Sequence, residues 1–304
     1  MRSIFEAGAL SRHGLLLVMI AAVLWGTVGV TSKTLYAMTA TTPLMVGFFR
    51  LAFSLPVMLF LSWYAVGRET FRIAGRDALL MVMMGAMTAL YQVCYFSAVE
   101  RIGVSVATLL TLCSAPVIVA LLSLIIIGEK PTTNVLISLV LALAGTLLLI
   151  RPASGGSFYA TDLSGHLFAL GSAFGYAMVA LVSRSLSERY HPFQTIAVSF
   201  AFGAMVLFCF VISGNMAAAF TPAGWGLLLY LGLIPTALAY VLFLTGIRHT
   251  TATTASICTL IEPLTSTMLA GLIFGERLGP TGIYGALALS GAMGFLYVSR
   301  KQRK

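Results

Sequence analysis

Residues 259–277 read T-L-I-E-P-L-T-S-T-M-L-A-G-L-I-F-G-E-R, and residues 112–130 read L-C-S-A-P-V-I-V-A-L-L-S-L-I-I-I-G-E-K. Written one above the other, both have a proline at the fifth place and both run through apolar residues to Gly-Glu and a base. Pro116 stands as far from Gly128 as Pro263 stands from Gly275. A second echo has the same order. Residues 22–35 read A-V-L-W-G-T-V-G-V-T-S-K-T-L and residues 173–186 read A-F-G-Y-A-M-V-A-L-V-S-R-S-L, so that Trp25 meets Tyr176, Ser32 meets Ser183 and Lys33 meets Arg184. Apolar helices resemble one another by chance, so either echo alone would be weak. Two in order imply a duplicated chain, with one half at 1–150 and the other at 151–304.

Composition says where such a chain resides. Hydrophobic residues make up 59% and charged residues 9%, against roughly 25% charged in a soluble domain. So few charges cannot cover a soluble surface, and membrane lipid is the expected partner over most of the exterior. Apolar runs recur along the whole length, which a single signal peptide does not explain. The net charge of +9 does not point to nucleic acid, because the bases stand singly at the ends of apolar runs. No feature calls for an obligate protein partner. Cys94, Cys113, Cys209 and Cys258 all lie inside apolar runs and make no metal-ligand spacing; they read as small apolar fillers. No cofactor motif is visible.

About 20 apolar residues in a helix cross the hydrocarbon core. Ten segments qualify, near 14–37, 43–66, 78–99, 103–127, 132–150, 163–185, 193–214, 223–246, 252–274 and 280–299. The links are short and carry turn formers, as in A-T-T-P at 40–43 and Y-H-P at 190–192. With a cytoplasmic N-terminus, the inner links hold Arg2, Arg12, Arg68, Arg72, Arg76, Lys130, Arg184, Arg189, Arg248, Arg300, Lys301, Arg303 and Lys304, and the outer ones only Lys33, Arg101, Arg151 and Arg277. Lysine and arginine accumulate on the cytoplasmic side, so both termini are expected there. Five spans per half is an odd number, so the second half enters the membrane inverted. Secondary transporters are built this way, with the substrate near the midplane between repeats.

The ordered set P-x(11)-G-E-K at 116–130, E-P-x(11)-G-E-R at 262–277, F-F-R-L-A-F at 48–53 and Trp25-Gly26 resembles the EamA family of the drug/metabolite transporter superfamily. Within it the chain is most similar to bacterial aromatic-amino-acid exporters. The resemblance implies an all-α integral membrane protein of ten helices in two inverted five-helix repeats. It also implies a multi-pass place in a bacterial inner membrane and export of small metabolites. The first repeat departs from the second in having Ala115 where the second has Glu262.

Lipid disfavours polar groups, so polar residues within spans mark the interior. Thr88, Tyr91, Gln92 and Tyr95 recur at helical spacing on one face of span three, which reads either as a cavity wall or as hydrogen-bonded glue between helices. Trp25, Tyr176 and Tyr240 lie too deep to be interfacial anchors and read equally as cavity lining or packing. Pro116 and Pro263 are expected to kink their helices and to free the carbonyls of Leu112 and Thr259. Glu262 is the only acid deep within a span. It can be a proton-coupling site, a counter-charge to a substrate amine, a partner of Arg50 or a structural group at the repeat interface. Arg50 is the one base not assigned to a link; snorkelling, a bond to a carbonyl and substrate contact are all open to it. Spans five and ten have few polar residues and should be peripheral.

An intramembrane enzyme would need a nucleophile with a base, or a metal site. His13, His166, His191 and His249 fall near span ends and no paired aspartates stand in mid-span, so no enzyme is expected. A channel would show a charged ring or filter loop, and neither is visible. The expected cargo is amino acids of broad specificity, aromatic ones included, with a multidrug or other metabolite exporter of the same fold as the alternative.

Overall fold

The computed structural model describes residues 2–102, 104–150, 162–213, 220–275 and 279–299. The division between the halves at 150/151 lies outside the described residues. So do Arg151, Glu276 and Arg277, and the terminal bases Arg300, Lys301, Arg303 and Lys304. Among the described residues the secondary structure is wholly helical.

Span one is Arg2–Met38, span two Pro43–Val66, span three Gly75–Ile102, and span four Val104–Leu122 with a widened last turn at Ser123–Ile127. Span five is Thr133–Ile150, span six Leu163–Leu186 and span seven Pro192–Ser213. Span eight is interrupted: Pro222–Gly232 passes into a widened turn, Leu233–Leu238, and resumes as Ala239–Ile247. Span nine is broken between Ala252–Cys258 and Ile261–Phe274, and span ten is Pro280–Ser299. Nine of these are long and apolar enough to cross a membrane among the described residues; the remaining apolar helix, Thr133–Leu149, is shorter.

The starts follow from local chemistry. Thr42, Thr221 and Thr251 each accept a hydrogen bond from a backbone N–H three residues on, at 3.1–3.3 Å. Pro43 and Pro222 follow the first two, where a missing N–H costs nothing. Asp162 caps span six through Ser164 and Gly165 N–H groups. The Ser164 hydroxyl, which it also accepts, is the main reason its carboxyl is held below the usual carboxylate range. The glycines of the doubled stretch have one job. Gly128 and Gly275 take φ of 76° and 69°, the left-handed conformation that ends a helix and that favours glycine.

Outward-facing side chains are apolar. Phe60, Ile125, Val140 and Leu272 are all more than 60% exposed, as lipid contact requires. Inside, span three packs on spans six and seven, and span eight on spans one and two; span four packs on six, and nine on one; two pairs with seven, and five with ten. Exchanging each span for the one five places away returns the same set of pairings. This is the signature of two like halves facing each other.

Spans five and ten form a pair in which the two backbones touch. A Cβ on Gly285 would stand 2.5 Å from the Leu149 nitrogen and 2.7 Å from the Gly145 carbonyl oxygen, and one on Gly145 would meet Leu289 nitrogen at 2.7 Å. Small residues permit such approach in lipid. Gly285→Leu is therefore expected to cost about 1–3 kcal/mol, read as a lowered melting temperature in detergent, while Gly291→Ala, which has open space, should change it little.

Candidate functional site

Two aromatic pairs lie at the repeat interface, and they are related by the exchange of halves. Trp25 of span one meets Tyr240 of span eight at 5.2 Å and 64°, and Tyr176 of span six meets Tyr91 of span three at 6.3 Å and 85°. Trp25 and Tyr176 are the residues aligned by the sequence echo. The first pair is extended by Phe243, 5.4 Å from Trp25, and by Phe200, 5.0 Å from Tyr240. Edge-on geometry suits rings whose faces are negative and edges positive.

These pairs leave polar groups over. The Trp25 indole N–H, the Tyr176 hydroxyl and the Ser172 hydroxyl are buried with no hydrogen-bond partner among the described residues. Tyr176 faces Thr259, whose hydroxyl donates to the Ser256 carbonyl at 2.8 Å and keeps its acceptor lone pairs. Buried polar groups normally find partners; these three, like Ser138, Thr195, Ser199 and Thr250, can take a water, and those beside the ring pairs can take a ligand.

The face 88–91–92–95 divides. Tyr91 and Tyr95 are half-buried, and the Tyr95 hydroxyl bonds that of Thr108 at 2.6 Å. Thr88 is buried and donates to the Met84 carbonyl at 2.8 Å. Gln92 is also buried. Its amide nitrogen points to the Thr88 carbonyl at 3.4 Å and its amide oxygen fills the space beside Gly47 that a side chain would take. Thr88 and Gln92 thus join span three to itself and to span two, while Tyr91 faces Tyr176 and Tyr95 reaches Thr108 of span four.

The two prolines differ in setting. Pro116 lies inside a continuous helix. Pro263 stands in the first turn of a new helical segment, after the break at 259–260. There it displaces no bond, since first-turn N–H groups have no partner within the helix. Nor is the Thr259 carbonyl free: it accepts from Glu262 N–H at 3.0 Å. The break also accounts for the glutamate found in one copy only. Glu262 sits in the first turn of the new segment, where the positive end of the helix dipole stabilises a carboxylate. Ala115 is mid-helix and 3% exposed, with no such end beside it.

Arg50 has no carboxylate partner among the described residues. Its Nε donates to the Thr236 hydroxyl at 3.0 Å, and that hydroxyl donates to the Leu231 carbonyl at 2.7 Å. The widened turn of span eight presents Thr236 this way, and such turns are often found at functional sites. Pro235-Thr236 in mid-span was the signal available in the sequence. Phe200, Phe243, Thr108 and Tyr36 carried none, being ordinary residues of apolar spans.

One end of the bundle is tied across the halves. Arg184 bonds Glu129 at 3.2 Å, and the other Glu129 oxygen accepts from Ala252 N–H at 3.0 Å. Arg184 also bonds Glu188 at 2.7 Å, which holds that carboxyl below its usual range. Asp77 takes Arg189 at 2.8 Å and the Tyr190 hydroxyl at 2.9 Å. The Ser123 and Thr253 hydroxyls meet at 3.0 Å, both buried, and residues 252–261 are buried without interruption. Toward the other end Arg50, Tyr95 and Glu262 keep part of their surface and Tyr36 is 39% exposed. There Arg101 reaches Asp162 at 3.5 Å, with 47% and 39% of the two side chains exposed. Among the described residues no group of three or more His, Cys, Asp or Glu could hold a metal.

The model of the EamA-like transporter family matches this chain twice, over residues 12–151 and 163–298. The chain is 34% identical to YwfM, an uncharacterized transporter of Bacillus subtilis (strain 168), over 95% of this chain and 94% of that one. It is 30% identical to the pseudopaline exporter CntI of Pseudomonas aeruginosa (strain UCBPP-PA14), over 59% and 60%. A crystal structure of a protein 18% identical has a TM-score of 0.82 over 95% of this chain and 98% of that one, a likeness of fold.

Proposed function

The chain belongs to the EamA-like transporter family and is a multi-pass membrane transporter; from that premise we propose that it exports amino acids of broad specificity, aromatic ones included. In this reading it works by alternating access across a bacterial inner membrane with both termini in the cytoplasm. The observation that carries the reading is the repeat-related pair of aromatic contacts, Trp25–Tyr240 and Tyr91–Tyr176, with unpartnered indole and phenol groups among them. Rings of this kind accept a large apolar side chain, and the leftover donors require a polar partner. The two halves pack as counterparts, so each can adopt the other's shape and turn the site from one side to the other. A phosphate site would want several converging bases, whereas the bases other than Arg50 stand near the ends of the apolar runs.

The test is counterflow in proteoliposomes loaded with phenylalanine, methionine or threonine. Labelled phenylalanine is expected to accumulate well above empty liposomes and to be displaced best by the larger apolar amino acids. Exchange of a cationic drug with no exchange of any amino acid would replace this reading by that of a multidrug exporter.

A further inference from the structure

The link between spans two and three is fastened from its inner side and carries rings and bases on its outer side. It opens with a tight 3₁₀ turn, Gly67–Phe71, entered through Gly67 at φ 60°. Behind the turn, Gln194 of span seven, 3% exposed, donates to the Glu69 and Thr70 carbonyls at 3.0 and 3.1 Å. The buried Ser62 and Thr70 hydroxyls meet at 3.2 Å. The Tyr190 hydroxyl accepts from Ala74 N–H at 3.2 Å and donates to Asp77. In front, Trp63, Tyr64 and Phe71 are 51%, 83% and 72% exposed, and the Trp63 and Phe71 rings lie 6.1 Å apart. Arg68, Arg72 and Arg76 of the same stretch are exposed. The 3₁₀ repeat sets Arg68 and Phe71 one above the other. Arg72 bonds Glu69 at 2.8 Å, with 77% and 57% of the two side chains exposed, and such a pair is worth little. Arg68 and Arg76 have no acid partner among the described residues. Asp77, the other acid of the stretch, is buried and bonded to Arg189.

The fold does not need this arrangement. The corresponding link of the second half, 214–221, reads G-N-M-A-A-A-F-T and has no base. Orientation in the membrane needs bases in a link, but it needs neither a turn pinned by buried hydrogen bonds nor rings flanking the bases. Tryptophan and tyrosine gather where hydrocarbon meets headgroups, and bases at that level attract anionic lipid. Phe60, 68% exposed and one turn before Trp63 and Tyr64, continues the apolar surface along span two. We infer that this corner is a binding site for an anionic phospholipid. Its phosphate lies on Arg68 and Arg72, and an acyl chain runs past Phe71 and Trp63 toward Phe60. A guanidinium suits a phosphate because its planar fork presents two N–H groups to two oxygens. Glu69 occupies part of Arg72, so Arg68 supplies the larger share. The turn is pinned from behind because a loose one would have to be ordered anew for each lipid bound.

The test uses the full chain with Trp225→Phe, which leaves Trp63 as the exposed tryptophan, since Trp25 is 6% exposed. The protein is placed in phosphatidylcholine nanodiscs with increasing shares of phosphatidylglycerol, which is anionic, or of further phosphatidylcholine, either one brominated on its acyl chains to quench indole fluorescence. Trp63 should be half quenched at about a fivefold lower share of the brominated anionic lipid, the worth of one base beside it. Arg68→Gln with Arg72→Gln should bring the two shares together. Raising salt from about 0.1 to 1 M should do so too, because it shortens the reach of charge from about 10 to 3 Å, and it needs no substitution. Trp63→Phe in place of Trp225→Phe reports Trp225 instead, whose segment Pro222–Gly232 carries no base; there the two lipids should quench alike. Equal quenching of Trp63 by both lipids, a preference that survives the paired substitution or the salt, or the same preference at Trp225 overturns the site. So does a preference abolished by inorganic phosphate at constant ionic strength, since the turn would then take free phosphate rather than lipid.

Discussion

Glu129→Gln is expected to loosen the tied end of the bundle and to make Cys258 reactive from that side. The carboxylate holds Arg184 of span six and the Ala252 N–H at the start of span nine, so one side chain of the first half joins two spans of the second. The pair is mostly buried, at 22% and 16% exposure, and removing one partner from a buried pair is far costlier than from an exposed one. Glutamine keeps the shape and can still accept from Ala252, but it leaves Arg184 with only Glu188. A loss of about 2 kcal/mol in the tied arrangement raises the loosened population roughly 30-fold. Cys258 is fully buried behind this end. In a protein with Cys94, Cys113 and Cys209 replaced by alanine, a membrane-impermeant maleimide should label Cys258 slowly, and at least about tenfold faster after Glu129→Gln. Arg101→Gln is the control, because its exposed pair with Asp162 is worth about 0–1 kcal/mol. An unchanged rate in Glu129→Gln would show that the surrounding apolar packing, not this carboxylate, holds the end shut.

Trp25→Phe is expected to weaken transport without lowering stability, and Trp25→Ala to lower stability. Trp25→Ala removes a 6% exposed indole that touches Tyr240 and Phe243, and such a truncation costs about 3–5 kcal/mol. Trp25→Phe keeps a ring in the same place and deletes an N–H that is buried without a partner among the described residues. Leaving such a donor unsatisfied costs roughly 1–3 kcal/mol, so the substrate-free phenylalanine variant should melt no lower than the unaltered protein. If the N–H is there for substrate, the same variant should show a half-saturation concentration for phenylalanine about tenfold higher. A melting temperature that falls with Trp25→Phe as far as with Trp25→Ala would remove the indole N–H from the site.

Much of the fold could be read because lipid allows few solutions. Every backbone group must be satisfied within its own segment, so an apolar run of the right length becomes a helix almost regardless of its neighbours. The spans expected at 43–66 and 280–299 are found at Pro43–Val66 and Pro280–Ser299. Local signals worked for the same reason: Gly128 and Gly275 end helices wherever the surrounding bundle places them. The links at 151–161 and 276–278 lie outside the described residues.

The site was legible in kind and not in arrangement. Span three shows the limit, since its helical spacing put Thr88, Tyr91, Gln92 and Tyr95 on one face. A face is about 100° wide, and whether its two edges meet the same neighbour depends on which helices lie beside it. Tyr91 reached Tyr176, whereas Gln92 reached Gly47. The aligned bases Lys33 and Arg184 diverged likewise: the first lies over the Phe274 ring at 4.3 Å, the second on Glu129. The two prolines are one residue type at one spacing, yet only span nine breaks beside its proline. The amino-acid sequence by itself determined the helices, their number and order, and which residue types could not face lipid, because those follow from the length, polarity and hydrogen bonding of single segments. Only the tertiary structure decided that Arg50 meets Thr236 rather than Glu262, that Glu129 fastens spans six and nine, and that Glu262 stands at a helix end. The first two join residues far apart in the chain, and no local preference selects among the many partners that a polar group excluded from lipid would accept.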